Sequence, residues 1–259
     1  MTEQIAGPLG RVRSILDGYG STLVAYSGGV DSAVVLMLAK QQLGDCALGI
    51  IGNSPAYPAS ELNEALTLAR KFSLPVRMIE TDESSDPRYL ANTADRCFFC
   101  RSHLFAQLRN LANEEGFAQV TDGVHADDLR DHVGGMKAAR QFGVRSPLLE
   151  AGLGKADVRA IARELGLPVW DKPALACLAS RIPSGTPVTL SLLNRIGQTE
   201  QSLRDLGFSN FRVRHHGDLA RIELAEDEMP RALKLQSQLV AQLREAGYRH
   251  VTLDLNPRK

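Results

Sequence analysis

The stretch Tyr26-Ser27-Gly28-Gly29-Val30-Asp31-Ser32 holds the residue types that grip a phosphate. It follows an apolar run and opens a helix-period segment, so unpaired N–H groups and the positive end of a helix dipole meet there. Gly28 and Gly29 let the backbone curl close to an anion where a side chain would obstruct it. Ser27 and Ser32 add hydroxyl donors, and Asp31 can hold the magnesium that accompanies a nucleotide. No Lys precedes Ser32 and no third Gly follows at the dinucleotide offset, which excludes the Walker loop and the dinucleotide fingerprint. Asp122-Gly123 ends a later short strand and is expected beside the same crevice, where parallel sheets take ligands.

Sulfur is the second chemistry on offer. Cys97-Phe98-Phe99-Cys100 is a C-x-x-C pair, and Cys177 lies far along the chain. Three thiolates can hold three corners of a 4Fe-4S cube and leave one iron for an exogenous ligand. The same residues suit redox or catalytic thiols, or structural zinc with His103 as a further ligand at a non-standard offset. Arg96, Arg101 and Arg181 place positive charge beside these sulfurs. Cys46 precedes an apolar run and reads as a packed core thiol.

Arg212 and Arg214 stand two apart on an expected strand and so share a face; with Arg181 they form a fork-shaped site for an anion. The competing reading is a solvated strand face. Glu200 suits a metal or an exposed helix face, and Asp127 and Asp128 suit magnesium, a substrate or a helix cap.

The string from Ser27 to Ser32 resembles the signature of the ATP pyrophosphatase (PP-loop) family, whose members split ATP between its α- and β-phosphates. In them the loop grips the departing pyrophosphate while AMP goes to the substrate. That resemblance implies ATP with Mg2+ on Ser27, Gly28, Gly29, Asp31 and Ser32, with Gly123 beside them and Ser54 against the base. Four more stretches narrow the likeness: DRCFFCRSHL (Asp95 to Leu104), DGVHADD (Asp122 to Asp128), KPALACLASR (Lys172 to Arg181) and FRVRHHGDLARIE (Phe211 to Glu223). Through them the chain resembles the LarE family, ATP-dependent sulfur transferases that thiolate pyridinium-3,5-biscarboxylic acid mononucleotide for the nickel-pincer cofactor of lactate racemase. His125 stands where that family's DGTNADD pattern has Asn.

What this resemblance implies is specific. A substrate carboxylate attacks the α-phosphorus, and sulfur then displaces AMP to leave a thiocarboxylate. Cys177 is the catalytic cysteine. In one-cysteine members its counterpart gives up its own sulfur, whereas three-cysteine members, which match Cys97, Cys100 and Cys177, carry a 4Fe-4S cluster that delivers an added sulfide. Substrate contacts are implied at Arg101, Asp127, Ser180, Arg181, Glu200, Arg212 and Arg214, and the assembly is implied to be a homo-oligomer, a hexamer by the family pattern. A tRNA thiolase of the PP-loop type is the alternative. Against it stand Lys plus Arg and Asp plus Glu totals of 30 each, which leave no bulk field for RNA, and the lack of an extended basic segment.

These residues need a frame. Short apolar runs at 22–26, 47–52, 76–80 and 119–121 alternate with helix-period segments at 33–42, 60–72, 102–115 and 155–165, the pattern of a parallel sheet covered on both faces. The fold class is therefore α/β, a PP-loop domain over 1–184, followed by a small α+β domain over 185–259 after the turn-rich Pro183 to Pro187. That second part reads as helix 190–206, a hairpin of strands 211–215 and 219–224, helix 229–246 and strand 249–255, with Leu233, Leu235, Leu239, Val240 and Leu243 covering its sheet. No signal-peptide core opens the chain and no run spans a bilayer, so a cytoplasmic protein with no membrane or nucleic-acid partner is expected.

Overall fold

The computed structural model describes residues 7–129, 133–173 and 176–258. By contacts the chain divides into two units, one of residues 1–54, 61–86 and 95–175 and the other of residues 55–60, 87–94 and 176–259. The boundary expected at 184/185 thus falls inside the second unit, which takes in Cys177, Ser180 and Arg181.

The elements run α1 (Pro8–Asp17), β1 (Thr22–Ala25), α2 (Val30–Leu43), β2 (Ala47–Asn53), α3 (Ala59–Lys71), β3 (Val76–Glu80), α4 (Pro87–Leu90), α5 (Arg96–Glu115), β4 (Gln119–Thr121), α6 (Val133–Gln141), α7 (Pro147–Glu150) and α8 (Lys155–Glu164). The four strands pair in parallel in the order β3-β2-β1-β4. The chain leaves β1 toward β2 and β3, then returns to β4 on the other side. The crevice at the carboxyl ends of β1 and β4 is therefore the topological switch point where such sheets bind ligands. Leu23 and Val24 on β1 are fully buried, as a strand covered on both faces requires. Leu23, Ile50, Phe105, Leu108 and Val120 form one core, each worth ~1.5–3 kcal/mol of burial. Every residue from Ser32 to Ala39 of α2 is buried, so over these turns the helix has no solvent face, and exposure begins only in its last turn at Lys40 and Gln41.

Two expectations change in this unit. Helix α5 begins at Arg96, not near Ser102, because Phe98 and Phe99 N–H both donate to Asp95 O, at 2.9 and 3.2 Å. The C-x-x-C pair is thereby wound into the first turn of a helix. Cys46 is exposed, since it ends a short turn and burial starts only at Ala47.

The second unit takes in α4 and contains α9 (Leu190–Asp205), β5 (Phe211–His216), β6 (Leu219–Leu224), α10 (Met229–Lys234), α11 (Gln236–Glu245) and β7 (His250–Leu253). Its sheet runs β5-β6-β7, antiparallel at the hairpin and parallel at β7. Phe211, Val213, Ile222 and Leu224 point to a core closed by Leu203, Leu239 and Leu243. Strand alternation then puts Arg212, Arg214, Arg221 and Glu223 on the opposite face. The single helix expected over 229–246 breaks at Leu235 (φ −96, ψ 13), which turns Leu233 out to solvent. Among the described residues no helix is long and apolar enough to cross a membrane.

Candidate active site

The loop between β1 and α2 is closed by its own serine. Ser27 N–H donates to Ser32 Oγ at 3.0 Å, and Ser32 Oγ donates to Gly29 O at 3.2 Å. Gly29 begins α2 without any side-chain cap, so an anion is the natural partner for the first N–H groups of the helix. Gly28 has φ +69, and a Cβ there would stand 2.4 Å from that of Ala65. Gly123 abuts the same loop: a Cβ would meet Ser32 N at 2.7 Å and Asp31 C at 2.9 Å. The loop and the end of β4 are thus brought together, as expected.

Asp31 is already engaged. Lys155 Nζ lies 2.7 Å from both of its carboxylate oxygens. Lys155 is the first residue of α8, a place where the helix dipole disfavours a cation, and Asp31 offsets that cost. Asp127 accepts the Lys155 N–H at 2.7 Å and so fastens the start of α8. His125, nearly buried, sits with Nε2 3.7 Å from Asp31 Oδ1 while its N–H donates to Asp128. Buried Asp122 has its carboxyl pushed up by burial, against Ser146 Oγ at 2.7 Å and the charge of Arg101. Ser54, just past β2, donates to the buried Glu83. Lys155 was missed by sequence reasoning, since a lysine opening an amphipathic helix reads as solvated.

Cys97 and Cys100 lie one turn apart at the start of α5, neither of them in a disulfide. The first turn of α6 packs on them, where a Cβ at Gly134 would lie 3.3 Å from Phe98 N and 3.8 Å from Cys97 Cβ. His103, one turn further, has both ring nitrogens committed, Nδ1 to Asp82 and Nε2 to Asp86, each at 2.9 Å. That removes His103 as a zinc ligand. Arg101 rests on the Phe105 ring, 5.7 Å from its centroid. Among the described residues, no three His, Cys, Asp or Glu side chains gather as a metal-ligating group.

In the second unit Cys177 is a free thiol at the start of the turn Leu178–Arg181; its neighbours Ala174 and Leu175 lie outside the described residues. Arg181 holds this turn. Its Nη1 donates to Ala176 O at 2.9 Å, Cys177 O at 3.2 Å and Ser180 Oγ at 3.1 Å. Its other nitrogens grip Glu200 at 2.8 and 3.0 Å. Glu200 is 1% exposed and also accepts Val213 N–H at 3.1 Å, so the solvated-face reading of this residue is wrong. The apolar helix face around it carries it inward, and Arg181 neutralises it there. Arg214 donates to Ser180 O and to Glu223, both at 2.9 Å. The Arg212 side chain, on the same face, makes no hydrogen bond or ion pair with the described residues, while its backbone pairs with Glu223 in the sheet. Burial and the charges of Arg258, Arg181 and Arg214 push its pKa down to about 10, against Glu223. An arginine so surrounded calls for an anion.

No family model matches the chain. Individual relatives do. An uncharacterized protein of Synechocystis sp. is 41% identical over 249 residues, 95% of this chain and 93% of its own. The pyridinium-3,5-bisthiocarboxylic acid mononucleotide synthase of Lactiplantibacillus plantarum is 39% identical over 233 residues, 90% of this chain and 84% of its own. A glutamine-hydrolyzing GMP synthase of Brucella melitensis is 27% identical over 174 residues, 58% of this chain and 33% of its own. Fold, loop and relatives together define an ATP-dependent synthase of the PP-loop superfamily. Within it, the chain belongs to the LarE family.

Proposed function

We propose that the chain adenylates a carboxylate of pyridinium-3,5-biscarboxylic acid mononucleotide and converts it to a thiocarboxylate, a step toward the nickel-pincer cofactor. The substrate carboxylate oxygen attacks the α-phosphorus of ATP, and pyrophosphate leaves toward the N-terminus of α2. Ser27, Ser32 and the amides behind Gly28 and Gly29 stabilise its charge, with magnesium on Asp31. A sulfur nucleophile then attacks the acyl carbon, the bond to AMP breaks, and AMP departs.

Cys97, Cys100 and Cys177, none of them in a disulfide, would supply the soft donors for a 4Fe-4S cluster, and with both His103 nitrogens taken the set suits iron better than zinc. Such a cluster would supply an open iron able to accept an added sulfide. One observation carries the reading of a phosphorylated substrate beside a reactive thiol. Cys177 O and Ser180 O are fixed by Arg181 and Arg214, and partnerless Arg212 lies on the same strand as Arg214.

Anaerobic purification with iron and sulfide analysis tests the reading, together with pyrophosphate release and the mass of Cys177 after turnover. Expected are labile sulfide, an intact Cys177 and pyrophosphate released only with the pyridinium substrate. A Cys177 lighter by one hydrogen sulfide would replace the cluster route by the sacrificial one. Saturable, steeply salt-dependent binding of bulk tRNA would favour a tRNA thiolase instead.

A further inference from the structure

Helix α3 backs the phosphate loop. Tyr26 Oη donates to Ala65 O at 3.1 Å, and a Cβ on Gly28 would stand 2.4 Å from that of Ala65. One turn earlier on α3, Glu61 receives Lys172, whose Nζ lies 2.6 Å from Oε2. The same ammonium donates to Glu64 Oε2 at 2.7 Å. Lys172 opens the stretch KPALACLASR that leads into Cys177. Just beyond Cys177, Leu178 N–H donates to Ala56 O at 2.8 Å, in the segment that enters α3. The chain is thus fastened before and after Cys177, and the earlier fastening rests on one side chain.

This ion pair is not a solvated surface contact. The Lys172 and Glu61 side chains are only 17% and 16% exposed, so water and salt screen their attraction less than on an open face. Helix α3 has no need of the cation. Glu61 in its first turn already suits the positive end of the dipole, where an ammonium is disfavoured. The end of α8 does not need it either: Leu167 N–H closes that helix on Ala162 O at 2.9 Å, and Arg163 stacks 4.0 Å from the Trp170 ring centroid. What Lys172 holds is the segment that follows it.

We propose that Lys172 is a positioning residue for the sulfur step. Anchored to Glu61 and Glu64, it sets where the chain enters the Cys177 turn, so that sulfur rather than water meets the acyl-adenylate. This rests on the reading of adenylation followed by thiolation. Without the anchor ATP would still be split, but a water oxygen would attack the acyl carbon. The bond to AMP would then break, returning the carboxylate with loss of a proton to solvent.

The first test is the thiocarboxylate formed per pyrophosphate released. Lys172→Met is expected to keep pyrophosphate release and lower that ratio by ~10–100-fold, the scale of a misplaced reacting group. Lys172→Arg, whose fork can grip both carboxylates, should restore most of it. The second test needs no substrate: alkylation of Cys177 by iodoacetamide in anaerobically purified protein, followed on its own peptide. Labelling should be faster in the methionine variant and return to the wild-type rate in the arginine one. Should Lys172→Met misfold, Glu61→Gln retains Glu64 and should shift both readouts in the same direction. Thiocarboxylate and pyrophosphate falling together at an unchanged ratio, or an unchanged labelling rate, overturns the role of Lys172. Wild-type protein that releases no pyrophosphate with the pyridinium substrate overturns instead the underlying reading of the reaction, and the labelling rates still decide whether Lys172 holds the turn.

Discussion

Glu200 takes both prongs of the Arg181 guanidinium, Oε1 from Nε at 2.8 Å and Oε2 from Nη2 at 3.0 Å, with both side chains almost sealed from water. The remaining arm of Arg181 ties down Ala176 O and Cys177 O. Removing one partner leaves a buried charge uncompensated. Glu200→Ala should therefore cost about 3–5 kcal/mol in denaturant unfolding. Arg181→Met with Glu200→Leu should recover much of that loss without restoring thiolation, because the Cys177 turn stays untethered. A double variant with full activity would show that the tether is dispensable.

The parts legible in the sequence are those set by local pattern. Apolar runs gave the four parallel strands, and the glycine pair before a helix gave the anion loop, since both signals are complete within a few residues. Partner-dependent features were not legible. Glu200 on α9 looks like a solvated carboxylate until Arg181 is placed against it. The break at Leu235 leaves a helical period on either side, so the pattern runs through it. Lys155 reads as an ordinary surface cation, and only its pairing with Asp31 reveals a task. The C-x-x-C pair carries no helix-start signal of its own, and only the donation of Phe98 and Phe99 N–H to Asp95 O shows it wound into α5.

Gly123 has a steric duty that a methyl group would expose. Its missing side chain admits Ser32 N, which a Cβ would meet at 2.7 Å. The neighbour is backbone and cannot turn aside. Gly123→Ala should destabilise the first unit by about 1–3 kcal/mol and weaken ATP binding more than it weakens the pyridinium substrate. Calorimetric titration with ATP checks this, and unchanged ATP affinity would mean that the nucleotide avoids the β1–β4 crevice.

The ion pair of Lys155 with Asp31 occupies the position expected of magnesium. Metal arriving with ATP would free the ammonium to face the phosphates. Asp31→Asn should abolish pyrophosphate release while leaving iron content unchanged. Lys155→Met should strengthen Mg2+ binding in the absence of nucleotide, because Asp31 loses its competitor, and should slow pyrophosphate release by about 100-fold. Faster or unchanged release in the methionine variant would make Lys155 an obstacle to the reaction.

His103 offers a pH signature at the base of the thiol-bearing turn. Burial opposes its charge, yet the bonds to Asp86 and Asp82 outweigh that and hold the imidazolium above its ordinary range. The folded protein thus binds this proton more tightly than the unfolded chain does. Its stabilisation is complete below the unfolded value of about 6.5 and fades as pH rises through the raised folded value. Comparing wild type with His103→Gln by chemical unfolding should show a gap at pH 6 that narrows toward pH 9. Imidazole resonances followed by NMR should place the His103 midpoint above about 6.5, the value of a free imidazole. A gap that widened with rising pH would mean that His103 is held neutral, with its carboxylate partners supplying no net hold on the proton.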